Sequence, residues 1–263
     1  MSAPFFREAG AGPGVVCLHS NASSSSQWRA LMDLLAPRFH VLAPDTYGAG
    51  KSPPWPQGRK VSLGDEVALL EPVLARAGDG FSLVGHSYGG GIALIAALAH
   101  RQRLRSMALY EANLFALAER EAPGEVDGIR NAVTASVAAL RRGDALSAAR
   151  CFIDFWIEEG AFDRMPARVQ AASAESVRNI QGWKDALFDE PTPADAFAAL
   201  DVPVLLMVGS KSPLSSRAVA RRLARLLPRA ELVEIEGLGH MGPITHADVV
   251  NERIRGFLER HAA

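Results

Sequence analysis

FSLVGHSYGGGIALIAALAH, residues 81–100, sets Ser87 between a short apolar run and an apolar helix, with a glycine two positions away on each side. An apolar run as short as 81–84 suits a strand buried on both faces of a parallel sheet. Gly85-His86-Ser87-Tyr88-Gly89 then fits G-x-S-x-G, with a strand before it and a helix after it. A tight strand-to-helix turn holds the serine backbone in a strained conformation, and the glycines leave room for the bend. The hydroxyl projects above the carboxyl end of the sheet, where open α/β folds bind ligands. The amide of Tyr88 opens the helix and can point at a developing oxyanion. The plainer alternative is a glycine-rich turn with an incidental serine, and the flanks on both sides argue against it.

The same rhythm extends outward. Apolar runs at 15–18, 41–43, 106–110, 204–208 and 232–235 alternate with segments of helical period at 28–35, 64–77, 90–100 and 215–227. This alternation predicts a doubly wound, mostly parallel α/β sheet with helices on both faces. From 114 to 200 no strand signal appears. Ile129, Val133, Val137 and Leu140 form one helical stripe, Leu146, Ile153, Trp156 and Ile157 another, and Pro166 suits the start of a further helix. The expected organisation is a core at 1–113 and 201–263, with an inserted helical cap at 114–200. About a dozen residues precede Val15, so at most one short strand is expected near 5–8, in a sheet of six or seven.

Composition narrows the class. With 263 residues, 48% of them apolar, the chain suits one large domain or a core with an insertion. Net charge is −1, and the arginine-rich pieces at 101–105 and 217–225 are interrupted by apolar residues, so nucleic acid is not expected as a partner. The most apolar window, 90–99, is too short to cross a bilayer, and the Met1-Ser2-Ala3-Pro4 start lacks a signal stretch. Cys17 and Cys151 stand in unrelated elements and read as buried thiols in a reducing compartment, which makes a cytoplasmic location the expectation.

A serine hydroxyl needs a base to become a nucleophile. Of seven histidines, His240 has the best setting, in Gly237-Leu238-Gly239-His240-Met241-Gly242-Pro243 directly after the last strand. A loop there can carry the imidazole back over the sheet to Ser87. His246, His261, His40 and His100 read as helix, tail or surface residues.

With these residues the chain resembles the α/β-hydrolase superfamily along nearly all its length. Leu18-His19-Ser20-Asn21 is similar to the family's oxyanion loop, with an aromatic near Trp28, and residues 44–52, PDTYGAGKS, resemble its Pro-Asp-x-x-Gly-x-Gly-x-Ser loop. The Ser87 turn and the His240 loop complete the match. The second motif ends like a phosphate-binding loop, but Asp45 stands where that pattern needs glycine, and Pro53-Pro54 blocks its helix.

The resemblance implies a third residue, an acid that orients the histidine. Its common place, after the penultimate strand, is held by Ser212 in Gly209-Ser210-Lys211-Ser212-Pro213, with no carboxylate from 202 to 230. Some relatives, among them certain haloalkane dehalogenases, take the acid from the end of the strand after the nucleophile helix, where this chain has Glu111. Dehalogenation itself needs a carboxylate nucleophile, and Ser87 stands there instead.

The implied activity is acyl hydrolysis, most simply of a carboxylic ester. Ser87, His240 and Glu111 would be catalytic, with the amides of Asn21 and Tyr88 as oxyanion hole. Trp28, Phe115, Trp156 and Trp183 are candidates to line the pocket of a small, partly apolar substrate. No metal or organic cofactor is expected, since no cluster has ligand spacing. Lactones, thioesters and carbon–carbon bonds suit the same machinery, and a receptor keeping the fold without turnover, or a scaffold acting through the cap, remains an alternative.

Overall fold

The computed structural model describes residues 3–261, and the reading of Met1 and Ser2 as part of a start without a signal lies outside them. The strands of the core are β1 (Phe6–Ala9), β2 (Gly14–Leu18), β3 (His40–Pro44), β4 (Phe81–His86), β5 (Leu104–Tyr110), β6 (Val204–Gly209) and β7 (Ala230–Ile235). They form one sheet in the order β1-β3-β2-β4-β5-β6-β7, parallel except for β1, which runs antiparallel to β3. The single strand expected before Val15 is therefore present, and the sheet has seven strands.

Helices α1 (Arg29–Leu35), α2 (Leu63–Arg76) and α3 (Tyr88–Ala99) connect the first strands. Between β5 and β6 the described residues hold only helices. These are α4 (Phe115–Glu121), α5 (Asp127–Arg141), α6 (Ala145–Trp156), α7 (Ala167–Ser176) and α8 (Ile180–Phe188), joined by 3-10 turns. Helix α9 (Leu214–Leu226) follows β6, and α10 (Gly242–Thr245) and α11 (Ala247–Arg260) follow β7. No helix among the described residues is long and apolar enough to cross a membrane.

Strand alternation splits the core in two. Val16, Leu18, Leu42, Leu83 and Leu109 face one way, against α2, α3, α9 and the helices between β5 and β6. Val15, Cys17, Val41, Val84 and Ala108 face the other way, against α1 and α11. Burial on both sides is why β2, β4 and β6 read as unbroken apolar runs rather than as alternating ones. The segment that carries Trp28 folds as a short 3-10 turn, Ser25–Trp28, and seats the indole in the α1–α11 layer.

Candidate active site

Ser87 sits between β4 and α3 with φ 56° and ψ −117°. Two close approaches explain its glycines: a Cβ on Gly85 would stand 2.7 Å from Gly90 Cα, and one on Gly89 2.3 Å from the Leu18 carbonyl oxygen. Serine in the position before a helix normally caps the free amides of the first turn. Here it makes no side-chain cap, because the strained backbone turns the hydroxyl away from its own helix. The Tyr88 amide heads α3 and has no carbonyl within the helix to bond.

The Ser87 hydroxyl meets His240, with Oγ 3.0 Å from Nε2, and His240 Nδ1 lies 2.7 Å from Glu111 Oε2. A carboxylate only accepts, so Nδ1 carries the proton and Nε2 presents a lone pair to the serine. Glu111 projects from the tip of β5 with φ 46°, and its Oε1 accepts from the Gly209 amide at 2.9 Å and from the Ser212 hydroxyl. Burial pushes the Glu111 carboxyl upward, but the His240 hydrogen bond and charge, with those two donors, hold it below the usual carboxylate range. Ser212, at the position where an acid is expected from the sequence, therefore donates to Glu111 at the tip of the neighbouring strand.

Asn113, which sequence reasoning passed over, is part of the same cluster. Its Nδ2 donates to Ser87 Oγ at 3.0 Å and its backbone amide to the Ser87 carbonyl at 3.0 Å. Ser216 Oγ, 3.4 Å from Asn113 Oδ1, turns the amide nitrogen toward the serine. The only sequence signal was its place two residues beyond Glu111 on the same strand tip. The oxyanion-type loop is pinned by His19, whose Nε2 accepts from the Thr46 amide at 3.2 Å and whose Nδ1 then donates to the Ser20 carbonyl at 2.6 Å. Asp45 joins this loop to the next, accepting from the amides of Ser25 at 2.6 Å and Lys51 at 2.9 Å.

Three cavities meet at Asn21. An open one of about 800 Å³ runs between His19, Thr46, Trp55, Asn179 and Trp183 and has a mixed lining in which serines and amides stand among apolar side chains. A narrow one of about 10 Å³, room for roughly one water, lies among Asn113, Phe115, Phe152, Trp156 and Trp183. The third, about 120 Å³, is lined by Ser20, Phe152, Ile153, Trp156, His240, Met241 and Ile244. The largest does not touch His240 and the third does, while Ser87 lines none of the three. The Trp156 ring stacks on the His240 imidazole with centroids 3.8 Å apart. Phe115, Trp156 and Trp183 thus border cavities that reach Asn113 or His240, the hydrogen-bond partners of Ser87. Trp28 does not: it is 1% exposed in the layer beyond the sheet. Among the described residues no three His, Cys, Asp or Glu side chains group as metal ligands.

The fold has counterparts among known proteins. The chain is 29% identical over 264 residues to 2-hydroxymuconate semialdehyde hydrolase of a Pseudomonas species, covering 97% of this chain and 86% of that one. It is 26% identical over 286 residues to a haloalkane dehalogenase of Bradyrhizobium diazoefficiens, covering 96% and 90%. A thermophilic esterase from Thermogutta terrifontis superposes with a TM-score of 0.75 at 25% identity, covering 98% of this chain and 94% of that one. These relatives are hydrolases named for different bonds, and what they share with this chain is the framework. The family model for the alpha/beta hydrolase fold matches residues 13–247, and the chain belongs to that family.

Proposed function

We propose that the protein is a serine hydrolase that cleaves a carboxylic ester of a small, partly apolar substrate through Ser87, His240 and Glu111. The observation that carries this reading is the directed chain Glu111 Oε2, His240 Nδ1–H, His240 Nε2, Ser87 Oγ, with contacts of 2.7 and 3.0 Å. His240 Nε2 takes the hydroxyl proton as Ser87 Oγ attacks the carbonyl carbon, and Glu111 stabilises the resulting imidazolium. The amides of Tyr88 and Asn21 receive the oxyanion. The imidazolium returns its proton to the departing alcohol, and water, activated by the same nitrogen, clears the acyl-enzyme. Residues 114–200 act as a cap whose aromatic side chains limit the size of the acyl group. The relatives named for hydrolysing a semialdehyde and an ester support hydrolysis generally, and the same three residues suit a second reading in which the bond cleaved is carbon–carbon.

Reaction with a fluorophosphonate probe, followed by turnover of nitrophenyl esters of graded chain length beside a vinylogous diketone, tests both readings. Ser87→Ala is expected to abolish labelling and to lower turnover by roughly a millionfold, as loss of the nucleophile does in comparable sites. Retention of labelling in Ser87→Ala would show that another residue is the nucleophile.

A further inference from the structure

We propose that Gln27 and His86 are positioning residues that lock the oxyanion loop to the main chain of His240, so that the electrophilic and basic halves of the site hold one geometry. This rests on the hydrolase reading above. His86 is the residue before the nucleophile and is fully buried. It does not touch the reacting atoms. Its Nε2 lies 2.9 Å from the His240 carbonyl oxygen, and its Nδ1 lies 3.1 Å from Gln27 Nε2. Gln27 Oε1 in turn accepts from the Ser20 amide at 3.1 Å and the Ser20 hydroxyl at 3.1 Å, and Ser20 adjoins Asn21.

Every proton in this relay has a fixed direction, set by one group that cannot change its role. The Ser20 backbone N–H only donates, so the Gln27 oxygen must face it. The Gln27 NH2 must then face His86, which makes Nδ1 the acceptor. The ring proton is left on Nε2 and is donated to the His240 carbonyl. A proton added at Nδ1 would set two donors against each other. Burial and the neighbouring charge of His240 hold His86 well below the ordinary histidine range, which keeps the ring neutral. The titratable groups facing it are His240, with ring centroids 5.1 Å away, Tyr110 at 5.7 Å, and His19. Tyr110 adds a second tether from the neighbouring strand, its hydroxyl donating to the Gly239 carbonyl at 2.7 Å. The loop that carries the base is thus held at consecutive carbonyls from β4 and β5, and only the His86 tether continues into the oxyanion loop.

Three variants and two readouts, the rate of fluorophosphonate labelling and kcat against KM on one nitrophenyl ester, test the relay. His86→Leu keeps bulk without donor or acceptor and is expected to lower labelling rate and kcat by about thirtyfold or more, with KM within about threefold. His86→Gln offers an amide oxygen and nitrogen at nearly the ring's spacing and is expected to recover most of that loss. Gln27→Glu keeps the acceptor for Ser20 but turns the donor into a carboxylate. A neutral His86 then moves its proton to Nδ1 and releases the His240 carbonyl, whereas a doubly protonated ring restores both bonds. The deficit of Gln27→Glu relative to wild type should therefore widen as pH rises from about 6 to about 9. A role in packing alone would give a deficit independent of pH. If His86→Leu does not fold, the pH profile of Gln27→Glu still decides. Wild-type protein that fails to label at Ser87 overturns the hydrolase reading and this one with it. Normal labelling in wild type with a flat Gln27→Glu deficit, or with His86→Gln as slow as His86→Leu, overturns the relay alone.

Discussion

Glu111→Gln removes one charge from the site and keeps its shape, and the structure dictates how the replacement must sit. The Gly209 amide and the Ser212 hydroxyl both meet Oε1, and a backbone N–H has no way to become an acceptor. The glutamine oxygen must take that place, which leaves its NH2 against His240. The imidazole then shifts its proton to Nε2, facing Ser87, and can no longer receive the hydroxyl proton. Charge stabilisation of the imidazolium is lost as well. Loss of the acid in serine sites of this type costs about ten-thousandfold in turnover, which is ~5 kcal/mol of transition-state stabilisation. Ser212→Ala is milder, because the Gly209 amide and His240 remain on the carboxylate. One charge-assisted bond is worth about 1.5–3 kcal/mol to the carboxylate itself, and only the part felt at His240 reaches the rate, so a loss of about tenfold or less is expected. The assay is kcat/KM on a nitrophenyl ester with fluorophosphonate labelling, both variants measured on the wild-type pH plateau. Glu111→Gln within about a hundredfold of wild type, or Ser212→Ala equally damaging, would refute the assignment of the acid.

Two further predictions concern stability. Glu66 on α2 is fully buried beneath Tyr88; burial pushes its carboxyl up to about 7, against the opposing pull of the Tyr47 amide at 3.1 Å and the Tyr88 hydroxyl at 3.0 Å. The folded protein holds this proton more tightly than the unfolded chain, so stability falls as pH rises between about 4.5 and about 7 and is level above, by roughly 3 kcal/mol in all. Glu66→Gln can accept from Tyr47 and donate to the Tyr88 oxygen, so it should remove that slope and be the more stable protein at alkaline pH; parallel urea midpoints for both proteins at acid and alkaline pH would contradict this. The backbone of Ser87, at φ 56°, strains any side chain but glycine. Ser87→Gly and Ser87→Ala should both be inactive, with the glycine variant more stable by about 0.5–1 kcal/mol after its own entropic cost, and equal melting temperatures would show that the turn stores no such strain.

The fold was legible because strands buried on both faces carry unbroken apolar runs, and all six placed from the sequence lie within the observed β2 to β7. Strand β7, at the sheet edge, is largely exposed and was marked only by Leu232, Val233 and Ile235. Ser87 and His240 were legible because each stands in a glycine-bearing motif whose spacing the turn itself demands. Glu111 was reached only through the vacancy at Ser212, since a carboxylate at a strand tip carries no local signature. Asn113, Gln27 and His86 act through partners 26, 59 and 154 residues away in the chain, and no pattern along the sequence encodes such pairings. Trp28 failed for a related reason: closeness to the oxyanion loop in sequence says nothing about which side of the sheet a 3-10 turn will present.

The paired tips of β5 and β6 make the negative charge a property of the sheet's edge rather than of a single position. Tyr110 and Met207 are opposite one another, the Glu111 amide bonds the Met207 carbonyl at 2.9 Å, and beyond that rung Glu111 meets the His240 imidazole while Ser212 meets Glu111. With the acid proposed at the β5 tip, the β6 tip becomes its support through Gly209 and Ser212. Filling both would crowd two like charges onto one set of donors, so that one carboxyl must keep its proton; filling neither strands a buried imidazolium. Moving the acid across this rung would therefore require changes at two places that lie far apart in the chain and adjacent in space, 111 and 212, whose side chains here are bonded to one another.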